Sequence, residues 1–255
     1  MKVRFLGSGD AFGSGGRFQT CIHLHMGDAR LLVDCGASSL VAMRHFGVDP
    51  QSVDTVVLSH LHGDHFGGLP FLVLDGQFKR FRTRPVVLVG PVGFEARFQA
   101  LLQATYGDLI LRKRPFALDV REILPGESLD LSGARVRAFA AEHMDLPDRP
   151  LCLRIESPSG PAVAFSGDTE ICDELFRASD GAALLVAECT ALAPPAGRHS
   201  TWRDWTSAFS RLRARRLLLS HLSDDVRRSI AELNAAVPEN LRLDFADDGI
   251  TVEIG

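Results

Sequence analysis

The sequence predicts a layered α/β protein. Strand-like and helix-like segments alternate along all 255 residues. Several strands are entirely apolar, which requires cover on both faces. These runs stop at single polar, ligand-capable side chains, as in VVLSHL starting at Val56 and LLLSHL starting at Leu217. The near-repeat of those two strings points to two similar halves packed face to face. Hydrophobic residues make up 45% of the chain, enough for a substantial core. No Pro/Ser-rich linker interrupts it, so residues 1–255 read as one domain.

Taken in order, residues 3–6 form a first strand that runs into the glycine-rich LGSGDAFGSGGR. Such a loop can approach a phosphate closely, but neither the GxGxxG nor the Walker spacing is present, and tight turns account for it. Ile22, Leu24 and Met26 alternate with His23 and His25, which puts the apolar residues on the core and both histidines on the surface. Residues 39–46 are amphipathic and place His45 at a helix C-terminus, favourable when protonated. Residues 54–58 supply a buried β-branched strand. Helices are expected near residues 68–78, 93–106, 173–178, 203–213 and 225–236. Val136, Ala138 and Ala140 mark a half-buried strand, and residues 162–165 and 217–219 mark two buried ones. The apolar piece from Leu69 to Leu74 reads as exposed and suited to pairing subunits in a homodimer.

The densest chemistry lies in SHLHGDH, from Ser59 to His65. His60 and His62, two apart at a strand end, project to the same side and can share one metal ion. Gly63 permits a sharp turn, after which Asp64 and His65 face a second ion. The bland alternative, a His-rich surface loop, explains four ligand-type side chains in so few positions poorly. Further strand ends carry His143, Asp168, Glu188 and His221. In layered α/β proteins sites assemble beyond strand ends, and although any one such residue is ordinarily a turn or cap, together they point to a site.

HLHGDH resembles the H-x-H-x-D-H signature of the metallo-β-lactamase superfamily. That resemblance implies a four-layer αββα sandwich, two mixed sheets face to face with helices outside. It implies a later His, an Asp that bridges two metals and a last His, matched in order by His143, Asp168 and His221. LGSGDAFGSGGR and the DCG at Asp34 also resemble nuclease-like members. AEHMDLP around His143 lacks the T-x-G-H of glyoxalase-like thioesterases, and secreted β-lactamases usually lack the bridging Asp. By contrast EC-T at Glu188, HST at His199 and LLLSHLS resemble ribonuclease Z and related phosphodiesterases over nearly the full length.

The resemblance implies two ions, zinc by default with manganese or iron tolerated. One would take His60, His62 and His143, the other Asp64, His65 and His221, with Asp168 between them. A bridging water made acidic by both would attack a phosphodiester in line. Asp64 would orient it, His199 would protonate the leaving oxygen or stabilise its charge, and Glu188 would hold the His199 tautomer. HST also reads as an N-cap before the helix that starts at Trp202.

The segment between Tyr106 and His143 is too short for the transfer-RNA-binding arm of ribonuclease Z. With a net charge of -4, this favours a small phosphodiester, such as a cyclic nucleotide or cyclic sugar phosphate, over folded RNA. A ribonuclease Z-like RNA endonuclease, a lactone, ester or thioester hydrolase on the same metal pair, and a non-catalytic metal-binding protein are the alternatives. The basic runs Lys79-Arg80, Arg112 to Arg114 and Arg211 to Arg216 read as solvated faces. No apolar h-region or membrane span is present, and five cysteines without a C-x-x-C pair read as buried thiols, so a cytoplasmic location is expected. Cys35 and Cys189 lie close enough to motif residues for a minor metal role.

Overall fold

In the computed structural model, which describes residues 1–131, 133–158 and 160–255 and all their side chains except those of residues 110 and 111, two seven-stranded sheets lie face to face. The first is built from β1 (Lys2–Gly7), β2 (Cys21–Met26), β3 (Ala29–Val33), β4 (Thr55–Val57), β5 (Val86–Gly90), β6 (Leu118–Glu122) and β14 (Thr251–Glu253). The second is built from β7 (Ser128–Leu131), β8 (Ala134–Ala140), β9 (Leu151–Glu156), β10 (Ala162–Phe165), β11 (Leu184–Glu188), β12 (Leu217–Ser220) and β13 (Leu243–Phe245). The spatial orders are β14-β1-β2-β3-β4-β5-β6 and β7-β8-β9-β10-β11-β12-β13.

Both sheets follow one plan. Pairing is antiparallel from β14 to β3 and from β7 to β10, then parallel onward to β6 and to β13. The two-halves expectation therefore holds at the level of topology. The LSHL strings are not its imprint, however. β4, which carries the first, corresponds in position to β11, while β12, which carries the second, corresponds to β5. The strings resemble each other because both belong to fully buried parallel strands whose ends reach one site.

Alternation along the strands sorts the core into layers. Leu31, Val33 and Val57 from one sheet meet Leu153, Val163 and Val186 from the other between the sheets. On the outer face of the first sheet, Leu32, Val56 and Leu88 pack against α1 (Ser39–His45), α3 (Leu69–Leu74) and α4 (Phe94–Tyr106). On the outer face of the second, Leu185, Ala187 and Leu219 pack against α6 (Asp173–Ser179), α7 (Trp202–Ala208) and α8 (Asp224–Ala235). These layers make the αββα sandwich. Two short helices, α2 (Gly63–Phe66) and α5 (Asp108–Leu111), complete the set, and a π-helical turn from Asp75 to Lys79 extends α3. All five expected helices form, and among the described residues none is long and apolar enough to cross a membrane.

Four local expectations need correction. Leu69, Pro70 and Val73 are buried under the outer face of the first sheet, and Phe71, Leu72 and Leu74 are half-buried, so this piece belongs to the core rather than to an exposed pairing surface. Gly63 opens α2 with no left-handed turn, and a Cβ there would meet open space. His23 is half-buried rather than on the surface, with Arg4 as its partner across β1. Ala140 is exposed at the end of β8, while Phe139 is buried on the opposite, helix-facing side of the sheet.

Candidate metal centre

Strand ends deliver the site. Several strands carry the chain to the same rim of the sandwich, where it turns and where polar side chains gather, buried but outside the apolar core clusters. His60 follows β4, His143 follows β8, Asp168 follows β10, Glu188 ends β11 and His221 follows β12. His62 caps the start of α2, whose first turn holds Asp64 and His65. Gly36 lets the chain after β3 press against that turn, since a Cβ there would sit 2.2 Å from the Asp64 carbonyl oxygen.

Two groups of donor atoms result. In the first, His60 Nε2 lies 3.2 Å from His62 Nδ1, which lies 3.0 Å from His143 Nε2. Three nitrogens around a tetrahedral zinc ion at ~2.05 Å would be about 3.3 Å apart, so the spacing suits a shared ion. In the second group, Asp64 Oδ2 is 3.3 Å from both His65 Nε2 and His221 Nε2. Asp168 stands between the groups: Oδ1 is 3.4 Å from His65 Nε2, and Oδ2 is 3.5 Å from His221 Nε2 and 3.8 Å from His60 and His143 Nε2. His65 Nε2 and Asp168 Oδ1 are buried without a hydrogen-bond partner, a costly state that a bound cation would relieve. The donor set fits metal binding.

The outward nitrogens are held by hydrogen bonds that leave the inward lone pairs free. His65 Nδ1 donates to Asp34 Oδ2 at 2.8 Å, and His143 Nδ1 donates to the Arg198 carbonyl at 2.8 Å. Ser59 Oγ lies 3.0 Å from His60 Nδ1 and 2.9 Å from Asp34 Oδ2. Thr190 Oγ1 donates to Glu188 Oε2 at 2.6 Å and lies 3.1 Å from His221 Nδ1. Asp34 and His221 both adopt positive φ, 59° and 56°. Such strain in residues other than glycine concentrates at functional sites.

The electrostatics differ between the groups. Burial, reinforced by neighbouring imidazoles and opposed by Asp168, holds His60 well below the ordinary histidine pKa, and burial likewise lowers His143. Both are therefore neutral imidazoles. In the second group burial opposes ionisation but charge partners win: Asp168 and Asp34 raise His65, and Asp168 and Asp64 push His221 up to about 9. Asp64 and Asp168 fall below the usual carboxylate range, because the histidines around them outweigh burial.

His199, from the loop between β11 and α7, lies against this cluster. Its Nδ1 is 3.0 Å from each Glu188 carboxylate oxygen and 3.8 Å from Asp168 Oδ2. Burial alone would lower its pKa, but the Glu188 hydrogen bond and the Glu188 and Asp168 charges raise it. Glu188 also accepts the Thr169 N–H at 2.6 Å, which fixes the carboxylate. The capping role of HST falls to Thr201, whose side chain and Asp204 form a reciprocal N-cap on α7. All nine site residues expected from sequence are thus brought to one rim. Asp34, Ser59, Thr190 and the Arg198 carbonyl had no expected role; the DCG and EC-T motifs contain two of them, but nothing in a string reveals which nitrogen each would hold. All five cysteines are buried and free, and among the described residues none joins a metal-binding group.

Comparison with known proteins agrees with this geometry. The family description Anti-Pycsar protein Apyc1 matches residues 1–237. A protein named Ribonuclease Z from Methanothermobacter thermautotrophicus is 28% identical over 303 aligned positions, covering 100% of this chain and 97% of its own. The metallo-β-lactamase fold protein YhfI from Bacillus subtilis superposes with a TM-score of 0.80 at 22% identity over 98% of both chains. The short form of human tRNase Z superposes at 0.79 with 22% identity over 100% of both. The chain is therefore a metal-dependent hydrolase of ester bonds, and it belongs to the Anti-Pycsar protein Apyc1 family, in the ribonuclease Z and phosphodiesterase branch of the metallo-β-lactamase superfamily.

Proposed function

We propose that the chain is a dinuclear metal-dependent phosphodiesterase acting on a small, nucleotide-type phosphodiester. The carrying observation is the Glu188–His199 pair set against Asp168. Divalent ions, zinc by default, would be held by His60, His62 and His143 and by Asp64, His65 and His221 with Asp168 shared, and would supply Lewis-acid polarisation and an acidified water. Everything else falls to the chain. Asp64 Oδ2 orients the attacking water. His199, kept protonated by Glu188, offers its remaining ring N–H to the departing alkoxide and to the charge that builds on phosphorus. A thiolate leaves without such help, which makes a thioester the poorer match.

Substrate size is read from what surrounds the site. Between Tyr106 and His143 the chain forms α5, β6, β7 and β8, so that segment builds the sandwich and, among the described residues, carries no projecting arm. The 303 aligned positions exceed the length of this chain, consistent with insertions that ribonuclease Z has and this chain lacks. We read residues 1–255 as one domain, because β14 closes the sheet that β1 begins, and as a cytoplasmic enzyme that works without a membrane. Full-length similarity to Ribonuclease Z supports a second reading, an RNA endonuclease.

Elemental analysis joined to a substrate panel tests this. Wild type should carry metal and cleave an aryl phosphodiester faster than aryl esters, lactones or glutathione thioesters, and Asp64→Ala should be slower by about 10² or more. A faster rate on any carboxylic ester or thioester would overturn the phosphodiester assignment. Cleavage of a transfer RNA precursor in preference to the small diester would favour the second reading.

A further inference from the structure

His199 also lines a cleft of about 410 Å³. Glu170 and Ile171, from the turn after β10, line it together with Pro194, Pro195 and Asp204. Among the described residues, no lysine or arginine lines it. The volume falls in the range of small-molecule sites, roughly 300–1,000 Å³.

Its position follows from the hydrogen bonds of the imidazole. Nδ1 is committed to Glu188, so Nε2 is the nitrogen that can donate to a leaving oxygen. In-line displacement drives the leaving group away from the attacking water, and the oxygen that departs must come within hydrogen-bond reach of that Nε2. The body of the leaving group then occupies the cleft His199 opens into. The Asp204 carboxylate is already used, accepting the Thr201 N–H at 3.0 Å and the Thr201 hydroxyl at 2.6 Å. Glu170 is exposed, its backbone N–H held by the Glu142 carbonyl at 3.1 Å, and its carboxylate forms no ion pair among the described residues. The cleft therefore combines apolar walls with a negative field.

We propose that this cleft is the leaving-group subsite and that Glu170 is its specificity-determining residue, selecting leaving groups that carry hydrogen-bond donors or a cation and rejecting those that carry a second anionic group. This rests on the reading of His199 as proton donor to a phosphodiester. It deepens that reading by separating a nucleoside-like or sugar-like alcohol, which the cleft accepts, from the onward strand of a polynucleotide, whose next phosphate it repels.

The test uses the metal-loaded protein and three methyl aryl phosphodiesters whose leaving phenols differ only at the para position: aminomethyl, hydroxymethyl or carboxylate. Glu170→Gln and Glu170→Lys are compared with wild type as ratios of kcat/KM, which cancels the intrinsic reactivity of each phenol. The carboxylate-to-hydroxymethyl ratio should rise about 5-fold in Glu170→Gln and about 10-fold or more in Glu170→Lys, mostly through KM. The aminomethyl preference should fall in step. Ratios that move less than about twofold in both variants overturn the subsite. Wild type that cleaves carboxylic esters but none of the three diesters overturns the phosphodiesterase reading, and the subsite with it. The two failures look different.

Discussion

Asp34 Oδ2 accepts a hydrogen bond from His65 Nδ1 at 2.8 Å, while Asp34 Oδ1 accepts the Ser59 backbone N–H at 2.7 Å. One buried carboxylate thus fixes a proposed ligand of the second ion and the backbone that leads into the ligands of the first. Replacing Asp34 by Asn keeps the shape and tolerates the positive φ, but removes the charge that makes His65 Nε2 a strong donor. Metal affinity should fall about 10- to 100-fold with the fold intact. Competition with a chromogenic chelator, alongside circular dichroism, measures both, and an unchanged affinity would show that Asp34 serves only to hold the loop.

His199→Ala should reduce kcat by about 10²–10⁴ with metal content unchanged. The loss should be largest for alkyl leaving groups and smallest for nitrophenolate, which departs without a proton. Equal losses across that series would assign His199 to charge stabilisation on phosphorus instead of proton donation.

Removing metal leaves the buried Asp64 and Asp168 carboxylates facing only the surrounding histidine side chains. Because an ion binds the folded chain alone, chelation should lower Tm by several degrees and abolish hydrolysis, and added zinc should restore both. Thermal melts with and without chelator read the shift; equal Tm values would mean the centre contributes nothing to stability.

Far from the site, His23 predicts a pH dependence of stability. Burial first, then the charges of His25, Arg30 and Arg4, lower its pKa from the ordinary 6.5 to about 4. The unfolded chain therefore binds the proton more readily. Stability is fully present above about pH 6.5 and is lost progressively as pH falls toward 4, by something on the order of 1–2 kcal/mol once solvent screening is allowed for. His23→Gln should flatten this segment of a urea-denaturation pH profile, and a profile that keeps its slope would place the effect elsewhere.

Much of the architecture was readable from local pattern. Buried strands, helical segments and the His60-to-His65 donor cluster follow from short-range periodicity and spacing, because burial forces a side-chain period of 2 or 3.6. His60, His62, Asp64 and His65 are neighbours in the chain, so their closeness needs no fold to reveal it. The N-cap in HST before α7 is legible for the same reason.

What no local pattern contains is which distant segments meet. Asp34 and His65 come together because β3 and β4 are parallel neighbours whose ends share a rim, and Glu188, Thr190, His199 and His221 join through the second sheet. Leu69 to Leu74 is apolar in any context; docking of α3 onto the first sheet is what buries it. His23 alternates as an outward residue should, but it lies between cross-strand neighbours Arg4 and Leu32 and is half-buried, and that burial, with the surrounding charge, makes the position acid-sensitive. The chain alone therefore specifies the elements and the identity of the donors, through interactions a few residues long. Which nitrogen faces an ion, which carboxylate holds it there and which cleft opens beside His199 are settled by packing two sheets together, since those contacts join residues remote in sequence.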